Sequence, residues 1–387
     1  MQFVRNEEHQ MLVDTVRRFA REVLQESAEA HDRRGAVNPE LSTSLAELGL
    51  FGLLLPESEG GFDAPACLAL DVVEELAVAD GAVGWLAGGH LTAVGASART
   101  EAVAADEMKA ALAGDGWWGV ATATATRSAA LRRVWVPDRR GGRLEFAREG
   151  FEPSPTCLGL RGAGLGRAGQ ADTAGRAGQA DPAGRADPAG PADPAGRADP
   201  AGRADPAGRA DPAGRAGSEF GSERGTEAAG SPDPGAADPG SVLFGPEGVE
   251  AVAAAVALGV GRAALEAARI YAQERSQFGR PIADFQAVQW KLADGLTALD
   301  GSRLLLHHGV AHGDRFCLLF GAQRAADAAV TAAWEAVQIY GGNGFIREYP
   351  VERHLRDAQT VRAWLISAPH PSDFMTGWQV RGGSGLG

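Results

Sequence analysis

The sequence predicts a mainly α-helical protein with a small β domain in its middle and a four-helix bundle at its C-terminal end. Apolar residues recur at helical spacing in residues 3–113 and again from Glu247 to Leu365. Between these regions, residues 117–161 contain β-prone stretches, and a six-residue repeat with almost no large apolar side chains follows them. The chain has 387 residues, enough for two or three domains with a real core.

Residues 1–114 are predicted to form an N-terminal helical domain. The Pro56–Gly61 stretch is typical of a turn because it combines proline with glycine, and helical periodicity resumes from Asp71 to Ala79. The apolar positions of the first helix recur on one helical face, and a second apolar stripe follows. These positions are Leu12, Val16, Phe19, Ala20 and Val23, then Leu45, Leu48 and Leu50.

Residues 115–163 are predicted to form the β domain. The stretches Trp117–Thr124 and Arg133–Val136 are rich in β-branched and aromatic residues, which favour strands. Leu144–Phe146 is predicted to be a further short strand.

Residues 164–240 are predicted to be disordered. From Asp181 the unit Ala-Asp-Pro-Ala-Gly-Arg recurs with a period of six residues. Such a segment cannot bury enough apolar surface to offset the entropy lost on ordering. Glycine does not recur at every third position, which excludes a collagen helix. A calcium-binding repeat is the alternative, but each aspartate is isolated and followed by proline; we interpret the segment as an expanded repeat in a permissive loop.

Residues 241–370 are predicted to form the four-helix bundle, and residues 371–387 a flexible tail. The first long helix starts near Glu247 and ends near the Phe278-Gly279 turn. The other three are predicted at Phe285–His312, Leu318–Tyr340 and Glu352–Leu365.

Charge and cysteine content exclude several classes of protein. A net charge of −13 is a poor match for nucleic acid or an anionic membrane. The three cysteines, Cys67, Cys157 and Cys317, form no CxxC pair, so neither a disulfide framework nor a zinc site is indicated. The N-terminus is not typical of a signal peptide, and no apolar run is expected to span a bilayer. We therefore expect a soluble cytoplasmic protein.

Three histidines near the middle of the bundle raise the question of a metal site. His308 and His312 share a helical face at spacing i, i+4, and His307 precedes them. There is no HExxH motif, and no acidic third ligand is expected nearby. We interpret all three as surface or interface histidines and predict no metal.

Two blocks of the C-terminal half carry a family resemblance. The first is Arg275-Ser276-Gln277-Phe278-Gly279 with Phe285-Gln286, and the second runs from Ile339-Tyr340-Gly341-Gly342-Asn343-Gly344-Phe345 to Arg356-Asp357. Together they resemble the acyl-CoA dehydrogenase family. Pro56-Glu57 with Gly60-Gly61 resembles a loop of the family's N-terminal helical domain, and Gly159-Leu160-Arg161-Gly162 a turn near the end of its β-barrel-like middle domain. The middle domain is shortened relative to the family, and its usual Thr-Glu-Pro-x-x-Gly-Ser-Asp stretch is not recognisable.

The resemblance implies an FAD-dependent oxidoreductase acting on the CH–CH group of an acyl thioester, carried by CoA or an acyl carrier. It implies electron transfer to an electron-transfer flavoprotein and a homodimer, a homotetramer or a hetero-oligomer with another family member. It also implies which residues contact FAD, held mainly by a neighbouring subunit. These residues are Arg275, Phe278, Gln286, Gln338, Gly341 and Gly342. An arginine fork suits phosphate oxygens, and glycines let backbone amides approach them.

The catalytic base is the main departure from the family. Most members place a glutamate eight residues after the aspartate of the Arg-Asp pair, and that position here is Leu365, which has no lone pair to accept a proton. Other members place the base on the first helix of the C-terminal domain, which corresponds to Val249, next to Glu250. Glu250 is the candidate base, with Glu247 behind it. The alternative is that Glu250 is a solvated residue favouring the helix dipole.

Four hypotheses about function stay open from the sequence. The first is an acyl-CoA dehydrogenase-like enzyme that uses Glu250. The second is a non-catalytic partner subunit that supplies FAD contacts to a catalytic neighbour. The third is a flavin-dependent monooxygenase on the same fold, ranked lower because Tyr349–Arg353 looks more like the dehydrogenase branch. The fourth is a helical scaffold without flavin.

Overall fold

The helical periodicity of both halves of the chain is borne out in a computed structural model. The structure describes residues 7–99, 103–120, 131–136, 143–146, 243–244 and 247–366. The repeat predicted at 164–240, the tail predicted at 371–387 and the predicted strand residues 121–124 lie outside these ranges.

The N-terminal half forms six α-helices whose faces meet in one core. They are α1 (Glu7–Phe19), α2 (Gln25–Arg34), α3 (Glu40–Glu47), α4 (Ala66–Ala79), α5 (Gly81–Ala98) and α6 (Ala105–Leu112). α4 starts five residues earlier than the periodicity predicted. Asp80 separates α4 from α5 and caps the latter, because its Oδ1 accepts hydrogen bonds from the amides of Ala82 and Val83.

The predicted core face of the first helix is wrong at Val23. Residues Ala20–Leu24 form a π-helical turn between α1 and α2. A π-helical turn holds more residues than an α-helical one, so it shifts the buried face by about one position. Leu24 is fully buried in consequence, whereas Val23 is 41% exposed.

A three-stranded sheet confirms the β-prone stretches as far as the structure describes them. The strands are β1 (Trp117–Val120), β2 (Leu131–Val136) and β3 (Arg143–Phe146); β1 pairs parallel with β2, and β2 antiparallel with β3. Trp117 and Trp118 at the start of β1 are buried against the helical domain.

The C-terminal half confirms the four-helix bundle. Its helices are α7 (Gly248–Glu274), α8 (Gln286–His312), α9 (Arg315–Tyr340) and α10 (Val351–Ile366), and a hairpin of β4 (Ser276–Gln277) and β5 (Arg280–Pro281) joins α7 to α8. Small residues let the helices approach closely. A Cβ added to Gly309 would lie 2.3 Å from the Leu318 nitrogen, and one added to Gly321 2.6 Å from the Leu306 nitrogen.

Helix α7 is the central helix of the protein. The expectation that no apolar run could span a bilayer is wrong for this helix, because its 27 residues are long and apolar enough by length and composition. However, 94% of its most apolar 18-residue stretch is buried inside the protein. Its composition is therefore that of a core helix packed on all sides.

A buried charge network ties α4 to the bundle. Glu74 accepts hydrogen bonds from Arg262 at 2.5 Å and from Arg303 at 2.6 Å, while Glu75 pairs with Arg17 at 2.9 Å. Burial alone would raise the pKa of Glu74, but the hydrogen bond and charge of Arg303, with those of Arg262, hold it below its ordinary value. The network fixes how the N-terminal helices sit on α7 and α8.

Candidate functional site

The segment from the end of α7 to the start of α8 carries three of the predicted cofactor residues. Arg275 follows the last residue of α7 in an extended conformation, and both Arg275 and Gln286 are exposed. The two turn residues of the hairpin adopt left-handed conformations, with φ of 54° at Phe278 and 81° at Gly279. Such a turn matches the twist of a tight hairpin.

Phe278 is held in an unfavourable conformation with its side chain in solvent. A bulky residue at positive φ is a genuine outlier, and such strain persists where the surrounding structure enforces it. The Phe278 ring is 93% exposed and lies edge-on to Phe285, with ring centroids 6.2 Å apart. Arg280 in turn lies over the Phe285 ring at 4.2 Å. The hairpin thus presents an ordered aromatic surface outward.

The last turn of α9 and the turn after it carry the other three predicted cofactor residues. Gln338, Gly341 and Gly342 are all exposed. Gly341 has φ of 60° and ψ of −132°, a conformation that requires glycine. A Cβ added to Gly341 or Gly342 would meet nothing within 4 Å, so the backbone there is open to an approaching ligand.

A tyrosine cluster connects the hairpin after α7 to the turn after α9 at one end of the bundle. Tyr271 of α7 stacks on Tyr340 of α9 with ring centroids 4.0 Å apart, and Tyr349 packs edge-on against both. Asn343 donates a hydrogen bond to the Tyr271 hydroxyl at 3.1 Å, and the Tyr340 hydroxyl donates one to the Ala267 carbonyl. The six predicted cofactor residues therefore share one end of the bundle.

The candidate base lies at the other end of α7. Glu250 is in the first turn of α7 but only 5% exposed, so its interpretation as a solvated residue is wrong. Its Oε2 is buried and has no hydrogen-bond partner among the described residues, while Arg315 pairs with Glu247 instead. Burial, with the charge of Glu247 adding to it, raises the pKa of Glu250 to about 7.

Leu365, which takes the place of the family's usual glutamate, packs in the core. It is 2% exposed near the end of α10, and the neighbouring Trp364 lies edge-on to Trp85 of α5 at 5.3 Å. One turn further along α5, a Cβ on Gly88 would lie 2.5 Å from Cγ1 of Val252, two residues from Glu250. Trp364 of α10 and Val252 of α7 therefore both lie against α5.

His90 is a buried residue of this region that sequence reasoning missed. It lies on α5, and its Nδ1 accepts a hydrogen bond from the Trp118 amide at 3.0 Å. Burial lowers its pKa to about 3, so the imidazole is neutral and links the helical domain to β1. A single histidine in an apolar helix gives no pattern from which this role could be read.

The expectation that no acidic residue accompanies the three bundle histidines is wrong for His308. A ring nitrogen of His308, a carboxylate oxygen of Asp314 and the sulfur of Cys317 all lie within 4.8 Å of one another. His307 instead faces Asp71 at 3.5 Å. Sequence motifs with a fixed spacing along one helix could not reveal this cluster, because a turn between two helices brings its members together.

Two family models match the chain. The one described as "Acyl-CoA dehydrogenase, N-terminal domain" matches residues 6–115, and the one described as "Acyl-CoA dehydrogenase, C-terminal domain" matches residues 250–365. Together they match more than half of the chain. The second match runs from Glu250 to Leu365 and includes all six predicted cofactor residues.

Individual relatives match over a shorter stretch. An acyl-CoA dehydrogenase of Bacillus subtilis is 47% identical over 116 residues, which are 29% of this chain and 31% of that protein. A 3-sulfinopropanoyl-CoA desulfinase of Cupriavidus necator is 45% identical over 111 residues, 28% of each. The match thus spans less than a third of the length of these curated relatives.

A solved structure is similar in fold. The structure of a glutaryl-CoA dehydrogenase from Mycobacterium smegmatis in complex with FADH2 has a TM-score of 0.62 and 16% identity. The alignment covers 99% of this chain and 97% of that one. At this identity the likeness establishes the fold.

Proposed function

Because the chain belongs to the acyl-CoA dehydrogenase family, we propose that it is an FAD-dependent oxidoreductase acting on the CH–CH group of an acyl-CoA thioester. The family is flavin-dependent, and the names of both relatives above refer to acyl-CoA compounds. The observation that carries the proposal is Glu250, a buried carboxyl group next to Val249, which corresponds to one of the two positions of the family's base.

Glu250 has the properties of a general base for this reaction. A pKa near 7 lets the group accept a proton while being present largely as carboxylate just above neutral pH. Its buried Oε2, unpaired among the described residues, is free to take the proton from Cα of a thioester. FAD supplies the acceptor for the hydride that leaves Cβ. Burial around Glu250 excludes water, which strengthens the interaction between the carboxylate and the acidic proton.

The residues at the far end of the bundle fit a dinucleotide. Arg275 offers a planar cation for the pyrophosphate, Phe278 an exposed ring for stacking, and Gly341-Gly342 open backbone amides. We assign these residues to the FAD of a neighbouring subunit. The length of α7 supports this assignment, because it places them about 37 Å from the Glu250 of their own chain.

The partner-subunit hypothesis is the second candidate. Leu365, buried where most family members carry their glutamate, favours it. Under this hypothesis the chain contributes Arg275 and the glycine turn to the FAD of a catalytic neighbour and performs no chemistry itself. A flavin-dependent monooxygenase and a flavin-free scaffold are the remaining alternatives.

The visible absorption spectrum of the purified protein, taken with its oligomeric mass, is the first test. Flavin bands at about one FAD per chain that bleach on addition of acyl-CoA support the dehydrogenase. Flavin bands that bleach only with NAD(P)H favour the monooxygenase. A colourless protein after incubation with FAD contradicts the proposal, and activity appearing only on mixing with a glutamate-bearing family member establishes the partner subunit.

A further inference from the structure

The junction of α8 and α9 holds three side chains of metal-binding chemistry, far in sequence from the residues of the proposed function. We propose that His308, Asp314 and Cys317 bind a divalent zinc-class cation that clips the two helices together. The three proposed ligands include none of the residues assigned to FAD or to the proposed reaction.

The close crossing of α8 and α9 creates the cluster. Gly309 allows the backbone of α8 to meet α9 at Leu318, where any larger residue would collide. Gly313, with φ of 66°, then reverses the chain between the helices. As a result His308 of α8 faces Cys317 of α9, although eight residues intervene.

Asp314 is fixed in position by its role as a helix cap. Its Oδ1 accepts a hydrogen bond from the Cys317 amide at 3.0 Å, so the carboxylate and the cysteine are held side by side. With Oδ1 engaged, Oδ2 is the oxygen that a cation would take. The relative position of Asp314 and Cys317 is therefore set without a cation.

His308 supplies a second and independent indication of a ligand. Its Nδ1 is buried and has no hydrogen-bond partner among the described residues. A buried polar atom without a partner is unfavourable, and a metal bound at that nitrogen would satisfy it. The ring of the next histidine on this face, His312, stacks on His308 at 4.4 Å, while its own Nδ1 lies 3.0 Å from the His308 carbonyl.

The donor set selects the kind of cation. One imidazole, one carboxylate and one thiol are ligands typical of zinc, and hard cations such as calcium would take oxygens alone. The three donor atoms lie within 4.8 Å of one another. Tetrahedral zinc places its ligand atoms about 3.5 Å apart, so a small contraction completes the site, and solvent takes the fourth position.

The Cys317 thiol has to lose its proton before its sulfur can bind a metal. Burial, with the neighbouring Asp314 carboxylate accepting a hydrogen bond from the thiol, raises its pKa to about 11. The thiol is therefore a weak nucleophile in the absence of metal. When a divalent cation binds, it replaces the thiol proton, which passes to solvent.

Cobalt provides a direct test because tetrahedral Co²⁺ absorbs visible light and a thiolate ligand adds a near-ultraviolet charge-transfer band. The untagged full-length protein, stripped with a chelator, should bind about one Co²⁺ per chain and show both features. Zn²⁺ should displace the Co²⁺ and raise the melting temperature. Absence of binding in this stoichiometry overturns the proposal.

Matched variants locate the ligands. Cys67 is a second half-buried free cysteine whose pKa is also raised to about 11, and Cys157 is the third cysteine of the chain. The double variant C67S/C157S should keep the charge-transfer band, and the further change Cys317→Ser should abolish it. Loss of the band in the double variant, or its persistence after Cys317→Ser, places the metal elsewhere and overturns the proposal.

The other two ligands have their own controls. Asp314→Asn keeps the helix cap, so weaker binding by roughly tenfold or more would reflect the lost carboxylate. His308→Asn should weaken Co²⁺ binding at least as much, whereas His312→Asn, which removes only the ring stacked on His308, should weaken it less. Equal binding by the His308→Asn variant and the unsubstituted protein contradicts the assignment.

Discussion

Glu250 and Arg275 lie at opposite ends of one helix, α7, and 25 residues of helix hold them about 37 Å apart. Both belong to segments that resemble one family's active site. Under the proposed function, a helix of this length lets a single chain contribute to two sites, with a base at one and cofactor contacts at the other. The predictions below test each end separately.

Glu250→Gln should abolish turnover while leaving FAD bound. Glutamine keeps the shape of the side chain but cannot accept the α-proton, so kcat should fall by about 10²- to 10⁴-fold. Stopped-flow bleaching of the flavin by acyl-CoA measures this step. Glu247→Gln is the matched control, since Glu247 pairs with Arg315, and its bleaching rate should stay within a few-fold of the unsubstituted protein. An active Glu250→Gln variant would exclude Glu250 as the base.

Glu250 should also make stability depend on pH. Its pKa is raised from 4.5 to about 7 on folding, so the folded protein holds a proton that the unfolded chain releases. The favourable contribution is complete below pH 4.5 and is lost as pH rises through 7, by about 3 kcal/mol. The melting temperature of Glu250→Gln should equal that of the parent near pH 4.5 and exceed it at pH 8. A difference that does not change with pH would contradict a raised pKa at Glu250.

Phe278→Asn should separate local strain from cofactor binding. Asparagine tolerates positive φ, so the substitution should leave folding unchanged or stabilise it by about 1 kcal/mol. Flavin occupancy should fall, because the exposed ring is lost. The ratio of flavin to protein absorbance, read beside the melting temperature, checks both effects. Unaltered occupancy would remove Phe278 from the cofactor site.

Leu24→Ala and Val23→Ala test the π-helical turn as a pair of adjacent substitutions. Leu24 is fully buried, so its truncation should cost about 2–5 kcal/mol of unfolding free energy. Val23 is 41% exposed, so its truncation should lower the unfolding free energy by less than about 1 kcal/mol. Urea denaturation of both variants measures the two costs. A larger cost for Val23→Ala than for Leu24→Ala would contradict the π-helical turn and indicate a continuous α-helix through this segment.

Helical periodicity predicted most of the architecture because the local spacing of apolar residues indicates which face of a regular helix is buried. The bundle helices begin and end within a few residues of their predicted bounds. Val23 failed because the π-helical turn changes the period within one helix. The sequence identified Arg275 and Glu250 as candidate site residues. It could not predict the burial of Glu250, because that depends on helices far away in sequence.

Clusters assembled across helices stayed hidden for the same reason. His308 and Asp314 are separated by a turn, and no short motif records that the chain reverses between them. The stacking of Tyr271 on Tyr340 joins residues nearly seventy positions apart, which only the packing of α7 against α9 reveals. Sequence spacing predicts which residues share a face of one helix or strand, whereas contacts between elements are seen only in the three-dimensional structure.

The tyrosine cluster gives the protein a built-in reporter. The chain has three tyrosines in all, and Tyr271, Tyr340 and Tyr349 are those three. Biosynthetic labelling with fluorotyrosine would therefore place every ¹⁹F nucleus at the joint between the hairpin and the turn after α9. Its NMR spectrum would report events at this end of the bundle alone, free of background from the rest of the molecule.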